Sequence, residues 1–166
     1  GELEHKASEG NRGLTYPGLA QRMTAGSGIW HSEKNPSATD EVHFIQMWVL
    51  PDTESVDPGY QQLDVNDRLD RGGLVPIASG QGHDAAISIR QRDAVLVVGR
   101  LQPGESAEIP AGPFAHVFTA RGSVELEAGG ALASGDAARL TAADGLRVTA
   151  GPDGAEVIVW VTGPAR

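Results

Sequence analysis

His31 and Glu33 are the residues whose types and spacing are best suited to chemistry in this sequence. A single residue separates them, and they follow a glycine-rich turn at residues 25–28. Residues i and i+2 of a β-strand point to the same face, so the imidazole and the carboxylate would lie side by side. Such a pair suits Fe(II) or a similar divalent ion with open coordination positions. The alternative is a structural pair, hydrogen-bonded to the backbone or to each other.

The other histidines do not extend this pair by sequence spacing. His5 lies on the opposite face of its strand from Glu2 and Glu4, and His43 opens a long apolar segment. We interpret both as structural or surface residues. His83 lies in a glycine-rich segment, and His116 has no partner at i, i+2. Trp30, beside the pair, is predicted to point away from it and to pack.

Short strands separated by turns must position these residues. Residues 42–50 form the strongest predicted strand of the first part, apolar on both faces and therefore expected to be buried on both sides. Residues 53–85 hold few apolar runs and are interpreted as a linker. From residue 86 strands recur with turns every 8–12 residues, including predicted strands at 94–101 and 137–140 and predicted turns at 102–105 and 122–123. This spacing favours a sandwich or small barrel.

Composition excludes several classes of protein. The 166 residues carry a formal net charge of −9, which opposes direct nucleic-acid binding and binding to anionic membranes. Cysteine is absent, so disulfides and cysteine zinc sites are excluded. The sequence shows neither an apolar stretch long enough to span a membrane nor a signal-peptide pattern at its start. From the acidic composition, rich in Ala, Gly, Asp and Arg, we expect a cytoplasmic protein.

Longer phrases resemble the pirin family of two-domain cupins. The first half contains GELEHKASEGNRG, PGLAQRMTAGSGIWHSEKNP, VHFIQMWVLPD and PGYQQ, and the second contains LQPGE and a GSV-to-GD run typical of cupin barrels. The resemblance implies an all-β fold of two cupin-type barrels, the first incomplete at its N-terminus. It places the rest of the N-terminal cupin at 1–52, a crossover at 53–85 and a C-terminal cupin without a metal site at 86–166.

In that family the N-terminal cupin holds one metal, usually iron, through an upstream His-x-His pair and a downstream His-x-Glu pair. His31 and Glu33 match the downstream pair, with Glu33 as a candidate proton acceptor as well as a ligand. No His-x-His occurs in these 166 residues. The resemblance therefore implies a divalent metal, with Fe(II) as the first choice. Because the His-x-His pair is missing, whether this chain binds the metal is an open question.

The resemblance implies a metal-dependent, quercetinase-like dioxygenase acting on a small flavonol-like aromatic substrate. The alternative is a non-enzymatic binding or regulatory module, because pirin itself is an iron protein that binds transcription factors. A third interpretation is a truncated product of a full bicupin. Its exposed strand edge could pair with a second copy and give a homodimer.

Overall fold

The computed structural model describes residues 1–8, 10, 12–84 and 86–164. The chain divides into two compact units, residues 1–66 (unit 1) and residues 67–166 (unit 2). Strands account for nearly all of the regular structure, and the one helix of the described residues is α1, Asn66–Leu69, at the boundary between the units. The predicted all-β fold is confirmed. No helix in the described part of the chain is long and apolar enough to cross a membrane.

Unit 1 contains two small antiparallel sheets. One has the strand order β2-β1-β4 and the other pairs β3 with β5. The bounds of these strands are β1 Leu3–Ala7, β2 Arg12–Thr15, β3 Leu19–Thr24, β4 His31–Lys34 and β5 Gly59–Asp64. The predicted linker at 53–85 therefore contains regular structure, since β5 pairs along its whole length with β3.

The predicted strand over residues 42–50 is wrong. This segment has no strand assignment, and its large apolar side chains are exposed: Phe44 47%, Trp48 93% and Leu50 85%. Strand propensity is expressed only where a neighbouring strand completes the backbone hydrogen bonds and covers the side chains. No strand of the described residues pairs with this segment. The residue types of this segment therefore favour a strand, but no strand forms because no neighbouring strand in the described part of the chain pairs with it.

Unit 2 is built on one large sheet with the order β11-β10-β13-β8-β6-β7. In addition, β12 pairs with β10 and β9 pairs with β13. All of these pairs are antiparallel except β6 with β7. The strands are β6 Val75–Ser79, β7 Ile87–Ser88, β8 Ala94–Leu101, β9 Ser106–Glu108, β10 Phe114–Leu126, β11 Gly130–Ala133, β12 Ala137–Thr141 and β13 Arg147–Thr162.

The core of unit 2 is made of aliphatic side chains from alternating positions of its strands. Ile109, Val117, Val148, Val157 and Val159 are fully buried. Alternation places the neighbours of these residues on the outer face of the sheet. Small and β-branched side chains fill the core in a chain that has few aromatic residues.

Two long, bent strands replace a turn that the sequence predicted. The expected turn at 122–123 lies inside β10, which continues through register shifts near Gly122. Gly122 has a φ of +71°, and a Cβ there would lie 2.0 Å from the carbonyl oxygen of Gly154. Gly154 lies inside β13 with a φ of +76°. These glycines bend two paired strands together instead of ending them, as glycine does at β-bulges.

Candidate metal centre

The pairing of β1 with β4 assembles the candidate site. Its antiparallel register puts His5 opposite Glu33 and Ala7 opposite His31. Residues directly opposite each other in such a pair project to the same face of the sheet, as do residues i and i+2 of one strand. His5, His31 and Glu33 therefore share one face. This pairing of two strands that are not consecutive in the chain brings together His5 and Glu33, which are 28 positions apart in sequence.

His5, His31 and Glu33 form a cluster of potential metal ligands. One ligand atom from each residue lies within 4.8 Å of the others. His5 Nδ1 lies 3.4 Å from Glu33 Oε1, and the rings of His5 and His31 are 5.6 Å apart between centroids. Two imidazoles and one carboxylate are the donor set of many non-haem Fe(II) sites that leave coordination positions open for reactants.

His5 is the most buried member of the cluster. It is 1% exposed, and its Nε2 has no hydrogen-bond partner among the described residues. An unsatisfied buried nitrogen costs about 1–3 kcal/mol, so such atoms usually indicate a missing partner. His31 is exposed and the Glu33 side chain is 19% exposed, so the cluster runs from the interior of unit 1 to its surface.

Tyr60 and Gln46 contact the cluster from outside the β1–β4 pair. The Tyr60 ring stacks on His5 with centroids 5.5 Å apart and planes 26° apart. Burial raises the pKa of Tyr60 above its ordinary value, a hydrogen bond from Gln62 opposes this, and the negative charge of Glu33 adds to it. The phenol is therefore neutral at physiological pH. Gln46 Nε2 donates to Glu33 Oε2 at 3.3 Å.

Glu4 organises the opposite face of β1. Its carboxylate forms ion pairs with Lys34 Nζ at 2.9 Å, Arg12 Nη2 at 3.0 Å and Lys6 Nζ at 3.4 Å. The hydrogen bond from Lys34 is the largest cause that lowers the pKa of Glu4 to about 2, and the one from Arg12 adds to it. These bonds join β1 to β2 and β4 from the face opposite His5. They favour the register that forms the cluster.

The glycine-rich turn before β4 is fixed by backbone contacts. Ser27 N donates to the carbonyl oxygen of Val56 at 2.8 Å. Gly26 has a φ of +56°, and a Cβ there would lie 2.1 Å from that same oxygen. Ser8 N in turn donates to the carbonyl oxygen of Trp30 at 2.8 Å. The chain therefore enters β4 in a fixed position one residue before His31.

The remaining residues that the sequence singled out lie elsewhere. His43 is exposed in the segment without strand structure. In unit 2, His83 contacts Ser79 Oγ through Nδ1 at 2.8 Å, and His116 is exposed on β10. The Trp30 side chain is 86% exposed, so the predicted packing of this residue is wrong for the described structure.

Sequence reasoning did not include His5, Tyr60 and Gln46 in the site. For His5 the available signal was its short strand, but the partner strand and register were not predicted. Tyr60 and Gln46 occur in the quoted phrases PGYQQ and VHFIQMW. Nothing in their spacing relates them to Glu33, because they reach it through the fold and not along one strand.

Family models match both units. The model described as Pirin matches residues 1–49, and the model described as Quercetinase C-terminal cupin domain matches residues 76–160. A putative quercetin 2,3-dioxygenase from Mycobacterium tuberculosis is 52% identical over 161 residues, covering 96% of this chain and 66% of that protein. A quercetin 2,3-dioxygenase from Escherichia coli K12 is 44% identical over 92 residues, covering 55% of this chain and 38% of that protein.

Solved structures show the same architecture. The structure of YhhW from Escherichia coli superposes with a TM-score of 0.86 at 26% identity, covering 100% of this chain and 69% of that one. A second structure, titled as bacterial pirin YhhW from the same organism in complex with nickel(II), gives a TM-score of 0.83 at 25% identity, with 99% and 69% covered. The chain thus spans about two thirds of the length of these relatives.

Proposed function

Because this chain belongs to the pirin family of cupin proteins, we propose that unit 1 holds a divalent transition metal and acts as the centre of a dioxygenase for flavonol-like substrates. The observation that carries the proposal is the convergence of His5, His31 and Glu33 on one face of the β1–β4 pair. The relatives named as quercetin 2,3-dioxygenases support the reaction class.

The residues present fit a metal. His5 Nε2 is a buried nitrogen without a partner, and a metal ion would satisfy it. The ligand atoms already lie within 4.8 Å of one another, a gap that small side-chain rotations close. We propose His5 as the second imidazole of the site, beside His31 and Glu33. Fe(II) suits this donor set, and the nickel complex of the E. coli pirin supports a divalent ion.

Glu33 is proposed to act both as a ligand and as the proton acceptor for the substrate. When bound, the metal supplies Lewis acidity and redox chemistry toward dioxygen at this face. The flavonol hydroxyl gives its proton to a Glu33 oxygen; the O–H bond breaks, and an electron-rich flavonolate that dioxygen can attack remains. A base placed within hydrogen-bond reach contributes about 10²–10⁴-fold to such a step.

Tyr60 and Gln46 are proposed to position the ligands. The stacked Tyr60 ring restricts rotation of His5, and the Gln46 amide holds Glu33 Oε2. This leaves Oε1 on the side of His5. Outer residues that orient ligands commonly contribute about 10–100-fold to metal affinity or activity. Both residues act through the ligands and are positioning residues.

Oxygen uptake with quercetin tests the proposed reaction. The chain is loaded with Fe(II), Ni(II) or Co(II) under nitrogen and mixed with quercetin and air-saturated buffer. We expect oxygen consumption with at least one metal and a loss of at least about 100-fold in Glu33→Gln. His83→Gln, on an exposed position of unit 2, is the matched control and should retain the rate. No uptake with any of the three metals would refute the dioxygenase proposal.

A second candidate function is a non-enzymatic binding module that forms a homodimer. The observation in its favour is the exposure of Trp48 and Leu50, at 93% and 85%, in a segment rich in strand-forming residues. Large exposed apolar surface marks contact sites in soluble proteins. Light scattering after size exclusion tests it with Trp48→Ser and Leu50→Ser. A dimer that these substitutions dissociate, and that forms without metal, would favour this function over the enzyme.

A further inference from the structure

Unit 2 carries an open groove of about 370 Å³ on the outer face of its sheet. Side chains from three adjacent strands line it, namely Phe114 and His116 on β10, Arg139 and Thr141 on β12, and Trp160 and Thr162 on β13. This volume falls in the range of small-molecule sites, which is about 300–1,000 Å³. The proposed dioxygenase centre in unit 1 uses none of these residues.

The register of the sheet explains why these side chains converge. His116 is directly opposite Arg139 on one side and Trp160 on the other, while Phe114 is opposite Thr141 and Thr162. Side chains of directly opposite residues are in reach of one another on one face. The intervening residues Ala115 and Val117 point into the core. The groove therefore consists of two rows of side chains across the sheet, and the packed core of unit 2 lies on the other side of the same strands.

The two rows have an unusual composition for the solvent side of a sheet. Phe114 is 41% exposed, and Trp160 is half-buried beside it. Arg139 is exposed and has no ion-pair partner among the described residues. No acidic side chain lines the groove, although the whole chain carries a formal charge of −9. Arg139 thus lies on β12 at one side of the groove, and Phe114 and Trp160 lie on the two strands beyond it. This arrangement is complementary to a flat ligand that carries a negative charge at one end.

We propose that this groove binds planar aromatic carboxylates. Arg139 takes the carboxylate, for which its planar fork is the matching donor. The rings of Phe114 and Trp160 cover the aromatic body of the ligand, and the hydroxyls of Thr141 and Thr162 offer further hydrogen bonds. The proposal goes beyond the dioxygenase function and does not depend on a metal.

Each half of the ligand makes a separate contribution. A neutral aromatic amide keeps the ring contacts but loses the charge-assisted bonds to Arg139, and an aliphatic carboxylate keeps the charge but loses the ring contacts. We expect each loss to weaken binding by about tenfold or more, because hydrogen bonds to charged groups and aromatic contacts are each of that order. General attraction of anions is disfavoured by the net charge of the chain.

Naphthalene-2-carboxylate is the probe for the test. Its binding to the metal-free, ¹⁵N-labelled chain is followed by amide chemical shifts and by isothermal titration calorimetry. The comparison ligands are naphthalene-2-carboxamide and hexanoate. The variants are Arg139→Gln and, as the matched control, Arg121→Gln, an exposed arginine of the same sheet whose side chain faces Glu156 at 3.6 Å.

We expect shift changes confined to amides of β10, β12 and β13 near Phe114, Arg139 and Trp160. Arg139→Gln should weaken binding about tenfold or more, and Arg121→Gln should leave it unchanged. Equal binding by the two variants, or shift changes concentrated at His31 and Glu33, would overturn the proposal. So would equal affinity for the carboxylate and its amide. A proton spectrum with native dispersion for each variant separates lost binding from lost folding.

Discussion

Replacement of His5 by leucine tests whether this histidine is a metal ligand or only a structural residue. His5 is 1% exposed, and its Nε2 lacks a partner among the described residues. A leucine of comparable bulk keeps the interior filled but removes both ring nitrogens. We therefore expect His5→Leu to fold and to lose metal binding while its metal-free stability changes little.

The magnitude follows from the contacts of the ring. Removal of the unpartnered nitrogen relieves about 1–3 kcal/mol. Against this, the long 3.4 Å contact with Glu33 is worth about 0.5–1 kcal/mol and the stacking on Tyr60 about 0.5–1.5 kcal/mol. These terms nearly cancel, so the metal-free stability of His5→Leu should lie within about 1 kcal/mol of the original chain.

Metal changes the comparison. At a concentration 100 times its dissociation constant, a metal stabilises the folded chain by about 2.7 kcal/mol. If loss of one of three ligands weakens binding about 100-fold, that gain falls to about 0.4 kcal/mol. For a unit of this size 1 kcal/mol corresponds to roughly 4–8 °C. The metal-dependent rise in the melting temperature of unit 1 should therefore shrink from about 10–20 °C to about 2–3 °C.

Differential scanning calorimetry with and without NiCl₂ measures both quantities, and isothermal titration calorimetry gives the affinity directly. His83→Gln is the matched control, since it removes an exposed imidazole from unit 2 and should keep the full metal-dependent rise. An undiminished rise in His5→Leu would refute the assignment of His5 as a ligand. A metal-free loss above about 3 kcal/mol with the rise intact would identify His5 as a structural residue.

Three further predictions concern the support of the site and the bent sheet. Gly122→Ala should cost at least about 3 kcal/mol in chemical unfolding of unit 2, because a positive φ and a backbone contact at 2.0 Å act together, whereas Gly130→Ala, at φ +80° with open space around it, should cost about 1 kcal/mol; equal costs would contradict the close contact. Glu4 has its pKa lowered from 4.5 to about 2, so it contributes stability above pH 4.5 that is lost as the pH falls toward 2; the difference in melting temperature between the original chain and Glu4→Gln should shrink over that range, and a constant difference would contradict the ion-pair argument. Gln46→Ala should weaken nickel affinity about tenfold by calorimetry through loss of the bond to Glu33; unchanged affinity would remove the positioning role.

The sequence predicts well those parts of the fold that depend on local patterns. The strand at residues 94–101 has the predicted bounds, since a run of valines and leucines buried on both faces needs little further information. The predicted strand at 137–140 lies within β12. In both cases the turn residues that flank the strand agree with its apolar pattern.

Errors occur where pairing between distant segments decides the outcome. Residues 42–50 have strong strand propensity but no strand partner among the described residues. Gly122 was expected to end a strand, yet it lies inside β10, opposite Ala155 and close to the carbonyl oxygen of Gly154 on the paired strand β13. His5 joins His31 and Glu33 through the β1–β4 register, which spacing along one strand does not reveal. The i, i+2 spacing identified only the half of the cluster that lies on a single strand.

The β1–β4 register has a consequence for how folding of unit 1 can be followed. A slip by one residue would put Lys6 or Glu4 where His5 lies, because the side-chain period of a strand is two. Neither residue supplies the second imidazole: an ammonium group cannot coordinate a cation, and a carboxylate binds nickel less strongly than an imidazole does. The time course of nickel binding during refolding would therefore report when β1 and β4 reach the correct register. Slipped intermediates would bind nickel weakly or not at all, however compact they were.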